Sequence, residues 1–413
     1  MHLCGEGTFK LDQTTIFQNR NLIFYFLGTI LFKLGDKVYL IAIPWLVYDL
    51  TQSSSIMGSM FLFQTLPLII ISPIAGIMAD RFPRKKIMIY CAIIQGCLVL
   101  LIPILYRADM LAIPFIFLLG FLIASAGACF NVTNGTIIPQ LFTKDQLMRV
   151  NSFFQFIDTS SVFFGSMIAG LLISTIGIYA VFIVIGCSYF PIIISLIMIT
   201  LIHKMDQQTR TTSWQSLKDG AMYLWNLTIL RSLTWLVLVV NIANGALVSM
   251  LVFFSRDELG MTSHELGWVY GGAAVAQIAG ILLVNLINKR NNPLQLMVIT
   301  LSISAFGIIG TALSWDWISL MIFIAIQSAP VIMFNVLNKT FRQQVVPSYI
   351  LGRVNGMMMM IGLASLPLAG FLTGMMSEVV NIRWIFVTLG LVSLYTIFRF
   401  RTLGTQIVKT TFE

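Results

Sequence analysis

The stretch Gly76-Ile77-Met78-Ala79-Asp80-Arg81-Phe82-Pro83-Arg84-Lys85-Lys86 sets five charges into the seven residues from Asp80 to Lys86, between two runs that carry none, 54–79 and 87–106. About 20 apolar residues are enough to cross a bilayer as a helix, and both runs reach that length. The charged stretch is therefore a tight turn joining two membrane helices. Its basic residues place it on the cytoplasmic side, where short loops collect Lys and Arg. It has a second use. Gly76 permits close helix packing, and Asp80, in the company of Arg81, Arg84 and Lys85, can pair with a cation or face the positive end of another helix. Such a contact can hold two bundles closed and release them when they rock.

The whole chain has the same character. Of 413 residues 58% are hydrophobic and 10% charged, against roughly 25% charged in soluble domains. A soluble globule is excluded, and an all-α integral membrane fold is expected. Apolar windows give spans at 21–47, 54–79, 87–106, 111–137, 150–174 and 178–202, then 232–254, 264–287, 293–313, 317–338, 350–376 and 382–400. The first twenty residues are polar with no signal-peptide pattern, so the first span is expected to be retained. With both termini cytoplasmic, 20 of the 25 Lys and Arg residues fall inside, three outside (Arg107, Arg256, Arg383) and two within the first span. That imbalance sets the expected orientation in a plasma or inner membrane, and it assigns the net charge of +9 to loops facing anionic lipid rather than to nucleic acid. The run Arg256-Asp257-Glu258 and His264 are expected in a solvated outer loop.

The domains expected are a cytoplasmic segment 1–20, a six-helix bundle 21–202, a linker 203–231 with a short surface helix, a second six-helix bundle 232–402 and a tail 403–413. The halves repeat. Leu147-Met148-Arg149-Val150-Asn151 before span 5 matches Leu351-Gly352-Arg353-Val354-Asn355 before span 11, an offset of 204 that also aligns Gly170 with Gly374.

Amides in lipid turn toward a cavity or a neighbouring helix. Asn131 and Asn134, Asn241 and Asn244, and Asn335 and Asn338 are each spaced i, i+3, as are Gln155 and Asp158, so each pair shares a face. Gln64 and Gln277 add one amide each to spans 2 and 8. Spans 6, 9 and 12 have none in mid-span and span 3 has only Gln95, which makes every third helix peripheral and leaves the others around a polar path. A helix-to-helix hydrogen bond accounts for any single amide; the pattern across both halves favours a path. Lys33, Asp36 and Lys37 share one face of span 1. Either Asp36 binds and releases a proton beside its lysines, or the three form a static ion pair. Asp158 is a second proton candidate, or the partner of a span 1 lysine.

The turn at residues 76–86 resembles the signature of the major facilitator superfamily, with Pro83 where the family usually has glycine. The second-half counterpart, Gly280 to Asn285 followed by Lys289-Arg290, keeps the glycine and the basic turn without the aspartate. Leu34-Gly35-Asp36, Pro44-Trp45-Leu46-Val47, Pro73-Ile74-Ala75-Gly76 and Leu351-Gly352-Arg353-Val354 resemble the branch of macrolide-efflux proteins and enterobactin-type siderophore exporters. Ser161, Gly165, Ser166, Ala169 and Gly170 in span 5 follow the spacing of the family's antiporter stretch, with Ser166 at its proline, and Gly362, Pro367, Gly370 and Gly374 form a related stretch in span 11. Gly165, Gly170, Gly370 and Gly374 are thus expected to let the bundles pack closely. Ala124 stands near the place of the arginine common in proton-coupled members, a departure from their usual proton relay.

The resemblance implies a monomeric secondary transporter working by alternating access. Its expected activity is proton-coupled export of amphipathic small molecules, macrolide-like or siderophore-like. An importer or uniporter of another solute, or a non-transporting receptor, are the alternatives. Cysteines 4, 91, 97, 129 and 187 show no metal-type spacing, three histidines lie far apart, and no nucleotide-binding loop occurs. No enzyme activity, cofactor, metal or nucleic acid is expected; the partners are the solute, protons and lipid.

Overall fold

The computed structural model describes residues 20–141, 144–199, 221–287 and 292–412. Twelve long helices run α1 Arg20–Thr51, α2 Ser54–Arg81, α3 Arg84–Arg107, α4 Ile113–Leu141, α5 Lys144–Ile176, α6 Ile178–Met198, α7 Thr228–Phe253, α8 Ser263–Ile287, α9 Pro293–Ala312, α10 Trp317–Val345, α11 Ser348–Met376 and α12 Ile382–Phe412. Eleven are long and apolar enough to cross a membrane. The other, α1, is 32 residues long and carries Lys33, Asp36 and Lys37 in its middle. Large apolar side chains such as Leu282, Phe398 and Trp384 are exposed on the outer surface. That arrangement suits lipid and would be costly in water.

The helices end where local chemistry stops them. Ser53 caps α2 by accepting from the Ile56 N–H, Asn292 caps α9 ahead of Pro293, and Asp316 and Ser319 form a capping box on α10. Gly177, at φ 80°, makes the sharp break between α5 and α6 that other residues resist. Several helices outrun the expected spans. α1 continues past 47 to Thr51, α5 begins at Lys144, α10 reaches Val345, and α12 takes in most of the expected tail. A helix satisfies its own backbone in water as well as in lipid, so the end of an apolar run does not end it.

Helices α1 to α6 pack as α1 on α5 and α6, α3 on α4 and α6, and α2 on α4; α7 to α12 repeat these pairings with every number raised by six. The bundles meet through α2 against α11 and α5 against α8. Glycines make both crossings close. A methyl on Gly58 would stand 2.6 Å from the Gly370 carbonyl oxygen, and one on Gly170 would strike the Ser263 carbonyl. Gly165 is different: it backs onto Lys37 of α1, inside the first bundle, and does not touch the second.

These crossings lie at one end of the molecule, that of the α1–α2 and α7–α8 connections. At the other end Gly76, Gly135 and Gly356 have open space where a side chain would begin. The bundles are joined at one end and diverge toward the other. Of the expected linker only the part from residue 221 is described: residues 221–226 are helical, and Trp225 lies 6.4 Å from Trp235 of α7 between ring centres, both exposed. The expected N-terminal segment lies almost wholly outside the described residues.

Candidate transport cavity and the seam that closes it

Between the bundles lies a cavity of about 310 Å³. The first bundle supplies most of its wall, with Asp36, Lys37, Tyr39, Gln64, Thr65, Gln95 and Asn131 as its polar members; Val248, Ser249 and Tyr270 come from the second. Met57, Met60 and Phe61 complete an adaptable apolar side. A larger groove of about 560 Å³, lined by Phe63, Phe117 and Phe121 among others, has no polar side chain and belongs to the apolar outer surface.

The charges of α1 meet Asp158 of α5. Lys33 Nζ lies 3.3 Å and Lys37 Nζ 3.8 Å from the same Asp158 oxygen, while Asp36 reaches Lys37 at 3.9 Å. Asn131 Oδ1 accepts from Lys33 at 3.3 Å. Asp158 is therefore the hub, and Asp36 the more loosely held acid. Gly165, two turns beyond Asp158 on the same face of α5, removes the side chain that would push α1 away. Both carboxylates are 40% exposed and both lysines under 20%, so the acids are the wet side of the cluster.

The amides divide by bundle. Asn134 accepts from the Tyr25 hydroxyl on α1. In the second bundle, Asn244 accepts from Gln327 at 3.2 Å, Asn241 sits against Gly362, and on α10 Asn338 is buried while Asn335 is exposed. None of these four, nor half-buried Gln277, lines the cavity. The helix-to-helix reading holds for Asn244. The side chain of Gln155 lies outside the described residues.

Two amides escaped the sequence reading. Gln95, on a helix expected to be peripheral, is buried, donates to the Cys91 carbonyl and forms part of the cavity wall. Gln327, buried in α10, stands alone in an apolar run, which was the available signal.

At the diverging end, the charged turn is held within its own bundle. Arg84 Nε donates to the Ala79 carbonyl at 3.2 Å, and Lys85 Nζ donates to the Ile197 and Ile199 carbonyls, capping the end of α6. Arg81 is exposed, and the Asp80 side chain lies outside the described residues.

The closed end corrects an expectation. Arg256-Asp257-Glu258 does not form a solvated loop; it continues α7 as a π-helical turn, Phe254–Glu258, pressed against α1. Arg256 pairs with Asp49 and lies over the rings of Trp45 and Tyr48, 4.2 and 4.7 Å from their centres. The Tyr48 hydroxyl donates to Asp257 at 3.1 Å, and Glu258 binds Arg383 within the second bundle at 2.9 Å. Glu378, just beyond α11, accepts from the Ser53 hydroxyl at 2.8 Å and the Ser55 N–H at 3.1 Å, at the start of α2. These bonds, the Ser53 hydroxyl first, hold its carboxyl below the usual glutamate value. Among the described residues, every cross-bundle hydrogen bond lies at this end.

A family model for the Major Facilitator Superfamily matches residues 25–257 and 233–406. The chain belongs to the Major Facilitator Superfamily. Among relatives, it is 24% identical over 363 residues to the uncharacterized MFS-type transporter YkuC of Bacillus subtilis, covering 83% of this chain and 82% of that one. It is 23% identical over 389 residues to the multidrug efflux pump Tap of Mycobacterium tuberculosis, covering 90% and 91%. The fold is that of the nucleoside transporter NupG, with a TM-score of 0.76 at 14% identity over 93% of this chain and 99% of that one. A bacterial homologue of the iron transporter ferroportin in its inward-facing state gives 0.70 at 14% identity, covering 94% and 99%. This superfamily member is thus an integral membrane transporter of a small molecule, and it resembles the efflux-type members.

Proposed function

We propose that this transporter exports amphipathic small molecules in exchange for protons. The observation that carries the reading is the cavity itself: one wall of methionine and aromatic side chains, the other holding Asp36 and Lys37 beside Asp158. An apolar body packs against the first and a polar group meets the second. With both termini in the cytoplasm, the Arg256 seam faces outward and the state described is open to the cytoplasm, where an export substrate loads. Rocking the bundles would part the seam and close the end bearing Asp80.

Protonating Asp158 would break two lysine contacts, whereas protonating Asp36 breaks one long one. Asp36 is therefore the proton carrier in this reading, and Asp158 the anchor that keeps two ammonium groups in place. Substrate leaves Asp36 charged, an external proton neutralises it, and the return stroke delivers the proton inside. The multidrug efflux relatives support the export direction. Everted vesicles test it: a dye panel including macrolide-like and siderophore-like compounds should accumulate inside when the lumen is acidified, and dissipating the pH gradient should release them. Accumulation unchanged by the gradient would leave a proton-independent carrier.

A further inference from the structure

The last turn of α10 holds a cation that no mechanism above uses. Arg342, half-buried on α10, donates from Nε to the Asn338 carbonyl at 3.3 Å and from Nη1 to the Met358 sulfur at 3.5 Å. A guanidinium carries five N–H donors, and a thioether is a weak acceptor. No carboxylate among the described residues pairs with Arg342.

Two acceptors beside it are equally unmatched. Asn338 Oδ1 and Asn355 Oδ1 are buried without a hydrogen-bond partner, and Asn338 is only 6% exposed. Asn338 lies one turn before Arg342 on α10, and Asn355 one turn before Met358 on α11, so both fall on the faces the guanidinium already bridges. A half-buried cation without a carboxylate partner and two orphaned buried carbonyl oxygens in one place are each costly. One kind of molecule answers all three.

We propose that Arg342, Asn338 and Asn355 bind a hydroxylated phosphate. Its oxygens accept from the guanidinium, and its hydroxyls donate to the two asparagine carbonyls. The cluster sits within three turns of the α10–α11 connection, Val346-Pro347, at the diverging end of the molecule. A glycerophosphate lipid headgroup reaches that depth from the bilayer, and a free glycerol phosphate reaches it from water. The site is independent of the export reading and survives its failure.

Native mass spectrometry of the purified full-length protein tests this with phosphatidylglycerol, phosphatidic acid, phosphatidylcholine and sn-glycerol 3-phosphate as probes. Wild type should retain phosphatidylglycerol at least about fivefold over phosphatidylcholine, and Arg342→Gln should bring the two to parity. Asn355→Leu keeps the charge and removes an acceptor, so it should erase the preference for phosphatidylglycerol over phosphatidic acid, which lacks the headgroup hydroxyls. Displacement by millimolar glycerol 3-phosphate assigns the site to a soluble ligand; resistance to it assigns the site to lipid. Equal retention of phosphatidylglycerol by wild type and Arg342→Gln overturns the proposal. If that variant does not fold, an unaltered headgroup preference in Asn355→Leu overturns it as well.

Discussion

Asp36 and Asp158 differ in how many cations hold them, one against two, and this sets different consequences for the same substitution. Asp36→Asn should abolish accumulation against a gradient while leaving downhill exchange, because the amide mimics a protonated carboxyl that cannot cycle. Proton release on adding substrate to the purified protein checks it: equal release by wild type and variant would place the coupling site elsewhere. Asp158→Asn strips the shared counter-ion from Lys33 and Lys37, so it should lower thermal stability in detergent, where Asp36→Asn should not. The i+3 and i+4 spacing on α1 made the cluster legible in the sequence, and Asp158 was legible as a lysine's partner, one of two roles open to it. Gln95 was not. One amide among apolar residues carries no sign of which side faces a cavity, since its neighbours on α4 come from a distant part of the chain.

The seam depends on whole elements approaching within backbone contact. Gly170 on α5 faces Ser263 and Gly267 of α8, with its Cβ position 3.2 Å from the Gly267 Cα. Gly170→Val should therefore force α5 and α8 apart, lengthening spin-label distances across the closed end and cutting transport by roughly tenfold or more. Unchanged distances would show that the crossing has slack. The π-helical turn after α7 does the same work electrostatically. Removing the Arg256 charge in Arg256→Gln loses an ion pair and two aromatic contacts, and roughly 1–2 kcal/mol from the closed state would shift the open-to-closed ratio about five- to thirtyfold. The same distance measurement reads that shift, and no change in distribution would reduce the turn to packing. Small-residue spacing marked the glycines as a close-packing set, but the partner of each is a tertiary fact, and Gly165 serves α1. Arg256-Asp257-Glu258 read as solvent-facing because three charges after a span usually are. Asp49 stands 207 residues away, beyond any periodicity.

At the scale of the molecule, the two bundles are alike in architecture and unlike in chemistry: the mid-span charges Lys33, Asp36, Lys37 and Asp158 lie in the first, where the second has neutral amides such as Asn241, Asn244 and Gln327. Helix count and repeat were legible because lipid enforces long apolar runs; which end is closed was not, since both states use one sequence. Orientation is tested by cysteines placed at exposed Gln52 and Phe82 in a cysteine-free background. An impermeant thiol reagent on intact cells should label the first and spare the second, and the reverse pattern would invert the direction of export. Glu378 then separates two routes for the proton. Its carboxyl is held below the usual value by bonds across the seam, so its contribution is complete above the ordinary glutamate pKa of about 4.3 and is lost only as pH falls through the lower, bonded value. The closed end should stay closed as pH falls from 8 to that ordinary value and loosen only below it. Glu378→Gln should loosen it at pH 7, because a neutral amide accepts more weakly from the serines. Distances across the seam, measured over that range, decide the matter. If the wild-type seam opens near pH 6 and Glu378→Gln removes that dependence, external protons act on the latch, and the assignment of coupling to Asp36 in the cavity fails.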